Sequence, residues 1–451
     1  MPEYTALLLG SIVGNYWVGS KIKVALGESD STTRAPGRYW LVIGITVNLM
    51  LLAYFKYANF FIDNLNTALG IKWEMGRIVL PIGISFFTFT QIAYLVDTWR
   101  RKVREDNFVH YGLFVTYFPH LIAGPVLHHA QMMPQFNQST TYRIDSANLT
   151  AGLCIFAIGL FKKVVLADGV SPYADAVFEA ADGGRTPDFV EAWLGSIAYT
   201  VQLYFDFSGY SDMAIGLSWM FNVRLPFNFN SPYKAVNISD FWRRWHMSLS
   251  QFLRDYLYVA MGGNRRGAVR RYSNLLITMV LGGLWHGASW SFVVWGTLHG
   301  LYLGVNHAFR ALWSPRWLQR LDASRLFTLV SWLITILAVV AGWVVFRATT
   351  LGGAFRILES MATPVLGSAE HTLLWNAGLD SYDGGLWCFG LLLIACLAPN
   401  SNLLGERLLT FCRSSNTWSA IANGAAITMT AFLVVLNTMR DSVSAFIYFN
   451  F

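Results

Sequence analysis

Charged residues are scarce in this sequence, 13% of 451, where soluble domains carry about a quarter. Hydrophobic residues make up 54% and aromatic ones 16%. So much apolar area with so few charges cannot all be buried in a water-soluble core, so lipid must cover many side chains. Cysteine is rare too. Cys154, Cys388, Cys396 and Cys412 lie in or beside apolar runs, which excludes a disulfide framework and reads as small buried hydrophobes. There is no HExxH, no paired Cys/His spacing, and no GxxxxGK[ST], so neither a metal centre nor an ATP-driven pump is indicated. His120, His128, His129, His299 and His307 are spaced unlike metal ligands. No bound cofactor is expected. The apolar run from Tyr4 lacks a basic leader and a small-residue cleavage site, which argues against a secretory signal peptide.

What the chain does have is long apolar runs: 39–62, 78–96, 149–170, 272–290, 293–309, 327–346, 386–398 with its flanks, and 418–436, while 193–221 is long enough for more than one crossing. The expected fold is all-α, a polytopic membrane protein with about eight to eleven membrane segments. No repeat or interdomain linker interrupts it, so 1–451 reads as a single membrane domain. The net charge of +7 does not point to nucleic acid. Arg100, Arg101, Lys102 and Arg104, Lys162 and Lys163, Arg243 and Arg244, and Arg265, Arg266, Arg270 and Arg271 fall beside apolar runs, the pattern of short cytoplasmic loops. Two joints stay apolar. Residues 119–125 place two prolines and a glycine in a hydrophobic stretch and predict a re-entrant segment. Residues 240–261 mix arginines, aromatics and leucines and predict one amphipathic helix at the cytoplasmic interface, in contact with lipid.

His286, in Leu281-Gly282-Gly283-Leu284-Trp285-His286-Gly287, closes an apolar helix amid small and aromatic residues. An ionisable group there is a functional candidate, because burying it is costly unless it is used or paired. Desolvation favours the neutral ring, able to accept a proton from a hydroxyl, and glycines 282, 283 and 287 would let a thioester come close. A hydrogen-bonded structural histidine would fit the same position. His246 follows Trp242-Arg243-Arg244-Trp245 and suits either substrate orientation or a lipid phosphate. Arg243 and Arg244 suit bidentate phosphate recognition. Asp206 and Asp212, six apart in an apolar stretch, would orient a histidine, line a cavity or cap a broken helix.

With these motifs the chain resembles the membrane-bound O-acyltransferase family, in its alginate O-acetyltransferase branch. The stretches that carry the resemblance are LPIGISFFTFTQIAYLVDTWR (80–100), YFPHLIAGPVLHHAQMMPQF (117–136), YFDFSGYSDMAIGLSWMFN (204–222), FWRRWHMSLSQFLRDYLYVAMGGNRRG (241–267), LGGLWHGASWSFVVWGTLHGLYL (281–303) and FIYFNF (446–451). They occur in family order.

The resemblance implies a ring of tilted transmembrane helices, with re-entrant and interfacial helices, around a central funnel. It implies a bacterial inner-membrane enzyme with His286 as its essential residue and His246 as the second histidine. Acetyl-coenzyme A would be the cytoplasmic donor, held by Arg243 and Arg244 with Trp242 and Trp285, and Asp206 and Asp212 would line the funnel. The acetyl group would end on an exported polysaccharide, alginate first, through a periplasmic SGNH-hydrolase-like acetyltransferase partner with a nucleophilic serine. Cellulose or peptidoglycan O-acetylation, D-alanyl transfer and a polysaccharide transporter are the rival readings. Relatives carry one or two further helices before the segment matching Tyr4. The aromatic tail, within 438–451, is expected either to anchor at the interface or to carry the acyl group on Tyr448, since a phenol near a neutral histidine can attack a thioester.

Overall fold

The computed structural model describes residues 2–27, 37–73, 76–103, 107–121, 124–365, 367, 372–414, 416–439 and 446–447, and every regular element among them is helical. The chain forms two compact units, Met1–Gly152 with Ala214–Pro226, and Leu153–Met213 with Phe227–Phe451.

The first unit contains α1 (Pro2–Gly27), α2 (Arg38–Leu52), α3 (Ala58–Leu69), α4 (Ile84–Trp99), α5 (Phe108–Thr116) and α6 (His129–Phe136). Hydrophobicity cannot drive helix against helix in lipid, so polar contacts and close packing must. Here Asn48 Nδ2 on α2 donates to Asn15 Oδ1 on α1 at 2.6 Å, and Asn15 and Ser11 both donate to Gln91 Oε1 on α4. The break predicted at Pro119 is present: among the described residues, turns follow α5 and helix resumes at His129.

Next along the chain, α7 (Ser146–Phe161), a π-helical turn (Lys162–Ala167) and α8 (Asp168–Asp182) form one apolar run of 37 residues. Lys162 and Lys163 therefore do not lie in a loop, as their sequence neighbourhood implied, but in mid-helix. Aspartates neutralise them there: Lys162 Nζ lies 2.6 Å from Asp212, and Lys163 Nζ 2.5 Å from Asp206 and 2.9 Å from Asp168.

The remaining helices are α9 (Phe189–Met220), α10 (Ile238–Arg244), α11 (Met247–Phe252), α12 (Gly267–His286), α13 (Trp290–Leu312), α14 (Pro315–Ala323), α15 (Arg325–Arg347), α16 (Leu351–Ala362), α17 (Leu373–Asn376), α18 (Ser381–Leu397), α19 (Ser401–Ser414) and α20 (Asn416–Thr438). The core of the second unit is aromatic, with Phe178, Tyr199, Phe205, Phe207, Tyr233, Trp295 and Trp343 fully buried.

Among the described residues, four helical runs are long and apolar enough to cross a membrane: Arg38–Leu69, Ser146–Asp182, Arg325–Arg347 and Thr417–Thr438. They become five if α18 and α19, bent by 58°, make one span. That is fewer than the eight to eleven expected. The 16 residues of α4 reach only about 24 Å against a hydrocarbon core of about 30 Å. Helices α9, α12 and α13 bury polar side chains against protein, which lowers their hydropathy. Leu333, Ile334 and Leu337 on α15 and Ile427 and Phe432 on α20 are exposed, an apolar surface suited to lipid.

Candidate active site

Residues 240–261, expected to form one amphipathic helix, do not. The side chain of Asn237 caps α10 by accepting from the Asp240 amide at 2.9 Å, but the helix stops at Arg244 because a neighbouring loop takes over its backbone. The Asn230 amide donates to the Arg244 carbonyl, and the Met247 amide to the Asn228 carbonyl, both at 2.9 Å. Trp245 is thereby extended, and His246 is forced into the left-handed region at φ 42, ψ 55. That conformation is uncommon outside glycine and stores about 1–3 kcal/mol, a feature that gathers at functional sites.

Asn228 also sets the chemistry of His246. Its Oδ1 accepts from the Ser248 amide at 3.3 Å and from Ser248 Oγ at 2.9 Å, which identifies it as the acceptor end of the amide. The same oxygen lies 3.0 Å from His246 Nδ1, so Nδ1 carries the proton and Nε2 is the basic nitrogen of the neutral ring. His246 is fully buried, and burial pushes its pKa down to about 3. The ring is neutral at physiological pH.

His286 ends α12, and Gly287 is extended before Ser289 caps α13 by accepting from the Ser291 amide. Gly283 and Gly287, beside His286, do not open room for a thioester, as the sequence implied, while Gly282 faces Leu253. A side chain on Gly283 would collide with the Phe292 carbonyl oxygen, and one on Gly287 with the Phe292 ring. They let α12 and α13 close on each other, as small residues do in membrane helix pairs.

The His286 ring centroid lies 6.4 Å from that of His246, 5.1 Å from Trp285, and 5.3 Å from both Trp295 and Phe346. Phe207 meets His246 edge-on at 4.8 Å, and Trp285 lies 6.1 Å from it. Two buried imidazoles thus share an aromatic pocket, each bordered by an aromatic wall, an arrangement fit for proton transfer to and from a bound reactant.

The sequence that carries these rings and apolar helices matches a known family. The family model of membrane-bound O-acyltransferases fits residues 41–341, two thirds of the chain and both histidines. The chain belongs to the membrane-bound O-acyltransferase family. Among its relatives, the peptidoglycan O-acetyltransferase of Helicobacter pylori is 38% identical over all of this chain and 88% of its own length. A probable alginate O-acetylase of Pseudomonas aeruginosa is 43% identical over 87% of this chain and 72% of its own, and one of Pseudomonas putida is 38% identical over 100% and 91%.

Within this O-acyltransferase, the other expected site residues are distributed unevenly. Trp242 donates from Nε1 to His299 Nδ1 at 3.3 Å, and both rings pack on Trp295. His299, fully buried, and Asn228 are members of the pocket that the motifs did not single out. The signal for His299 was its place four residues after Trp295, on one face of α13. Arg243 is exposed, whereas Arg244 is held by Asp240 at 3.0 Å. Asp206 and Asp212 are engaged by lysines rather than by a histidine. Ser401 Oγ also donates to Asp212, at 3.0 Å. Tyr448 lies outside the described residues; of the tail, Phe446 and Ile447 are described.

Proposed function

We infer that this O-acyltransferase takes acetyl groups from cytoplasmic acetyl-coenzyme A and delivers them, across the bacterial inner membrane, for O-acetylation of an exported polysaccharide. The observation that carries the reading is the pair of buried imidazoles in one aromatic pocket, and the names of the relatives supply the acetyl group and the acceptor class. His286 acts as the base. It takes the proton of an attacking hydroxyl as the hydroxyl oxygen bonds to the thioester carbonyl carbon, then returns that proton to the departing sulfur, giving an ester and free coenzyme A. His246 orients or polarises the carbonyl. Trp242, Arg243, Arg244 and Trp285 hold the donor, and no resident cofactor or metal takes part. The first hydroxyl is that of Tyr448, and a periplasmic SGNH-hydrolase-like partner passes the acetyl group from there to the polymer. Alginate is the first acceptor to test. Peptidoglycan is the second, because a relative that matches the whole chain carries that name.

Sided vesicles test the reading. Inside-out vesicles containing the protein should consume labelled acetyl-coenzyme A, and right-side-out vesicles should not. Label entering alginate but not peptidoglycan, or the converse, assigns the acceptor. Equal consumption by both vesicle types would overturn the direction of transfer.

A further inference from the structure

The mechanism above leaves the lysine–aspartate cluster unused, and the tail reaches that cluster. The Ile447 amide donates to Asp206 Oδ2 at 3.0 Å, while Asp206 Oδ1 receives Lys163 Nζ at 2.5 Å. Asp206 is 1% exposed. The Phe446 ring covers the Lys163 ammonium, 4.9 Å from the ring centroid, and meets Tyr210 edge-on at 4.9 Å. Ile447 is buried in the same apolar core as Phe205 and Phe207. Asp206 directly precedes Phe207, whose ring borders His246, so one helix, α9, holds the tail and walls the histidine pocket.

We propose that the Lys163–Asp206 pair is the docking site for the chain's own C-terminal segment, with Asp206 the positioning residue that fixes where the residue after Ile447 is presented. The contacts have the character of a reversible clasp. One charge-assisted hydrogen bond from a backbone amide holds the chain in register, and one cation–π contact selects an aromatic side chain at 446. Neither is covalent, and both elements that receive the tail are fixed by other ion pairs when it leaves, Lys163 by Asp168 and α9 by the Lys162–Asp212 pair. The functional meaning rests on the reading of Tyr448 as acyl carrier: acyl loading of Tyr448 then depends on the seating of Phe446 and Ile447.

Hydrogen–deuterium exchange of the tail in the full-length, detergent-solubilised protein tests the docking, and labelled acetyl-coenzyme A with mass mapping of Tyr448 tests the consequence. In the wild type the Ile447 amide exchanges slowly. Asp206→Ala removes its acceptor, and Phe446→Ala removes the ring while leaving the buried ion pairs intact, so the second variant decides the matter if the first does not fold. Each should speed that exchange about 10-fold or more and lower labelling of Tyr448 by a comparable factor. Tyr448→Phe should keep the slow exchange and lose the label. Exchange in the wild type as fast as in both variants would overturn the docking, and fast exchange with undiminished labelling would overturn the positioning role. Slow exchange together with full transfer in Tyr448→Phe would remove the carrier reading and leave the docking site standing.

Discussion

Two buried clusters of the second unit handle polarity in opposite ways. Around His246, His286 and His299 the cluster is made of imidazole and aromatic rings, with His246 oriented by an amide oxygen and His299 by an indole N–H. Around Lys162 and Lys163 it is made of formal charges held at 2.5–2.9 Å. A neutral imidazole can take up and release a proton without first breaking an ion pair, which is what acyl transfer requires. A buried ion pair adds little net stability, because desolvation offsets attraction, yet it is costly to break. The first cluster is suited to changing state, and the second to preventing it.

The difference can be broken from either side. The largest effect is expected from His286→Ala, which should lower acetyl transfer about 10²–10⁴-fold while leaving the thermal melt in detergent close to that of the wild type. Near-normal turnover in a well-folded sample would end the assignment. Lys162→Met should do the reverse. It strips Asp212 of its cation and leaves the Ser401 hydroxyl as a partner, so unfolding should become easier by about 3–5 kcal/mol, with Asp212→Leu in the same chain restoring much of the loss. A melt unmoved by Lys162→Met would show that water, not the lysine, stabilises Asp212. The smallest effect should come from Asn228→Ala, which frees the His246 ring without removing it. A fall of about 10–100-fold in kcat at saturating donor is expected, with partial recovery in Asn228→Asp, which keeps the acceptor. Equal rates in all three would mean that the ring is oriented by its aromatic walls alone.

The sequence was most readable where one residue type must stand in one place. The histidine of Trp285-His286-Gly287 and the break at the prolines were visible because buried imidazole and proline each contradict their apolar surroundings. The all-helical membrane fold followed from composition. Roles that depend on a partner far along the chain were not visible. Asn228 looks like one more polar residue in a loop, and only its pairing across to 246–248 makes it the orienting group. Lys162 and Lys163 looked like topology markers because Asp212 and Asp206, their partners on α9, stand more than forty residues away. Gly283 and Gly287 were assigned to the wrong neighbour for the same reason: what fills the space beside them, Phe292, is on the following helix.

The π-helical turn at Lys162–Ala167 makes the length of this segment matter as well as its residues. Such a turn accommodates one residue more than a regular helix does, as a local bulge within an otherwise α-helical rod. A chain one residue shorter between 161 and 168 would keep α7 and α8 as a continuous helix. It could not project two consecutive lysines toward carboxylates six positions apart on α9. The number of residues in this segment, as much as their identity, then bears on whether a chain can set both lysines against Asp206 and Asp212. An insertion or deletion there would be silent in a hydropathy profile and felt at the ion pairs.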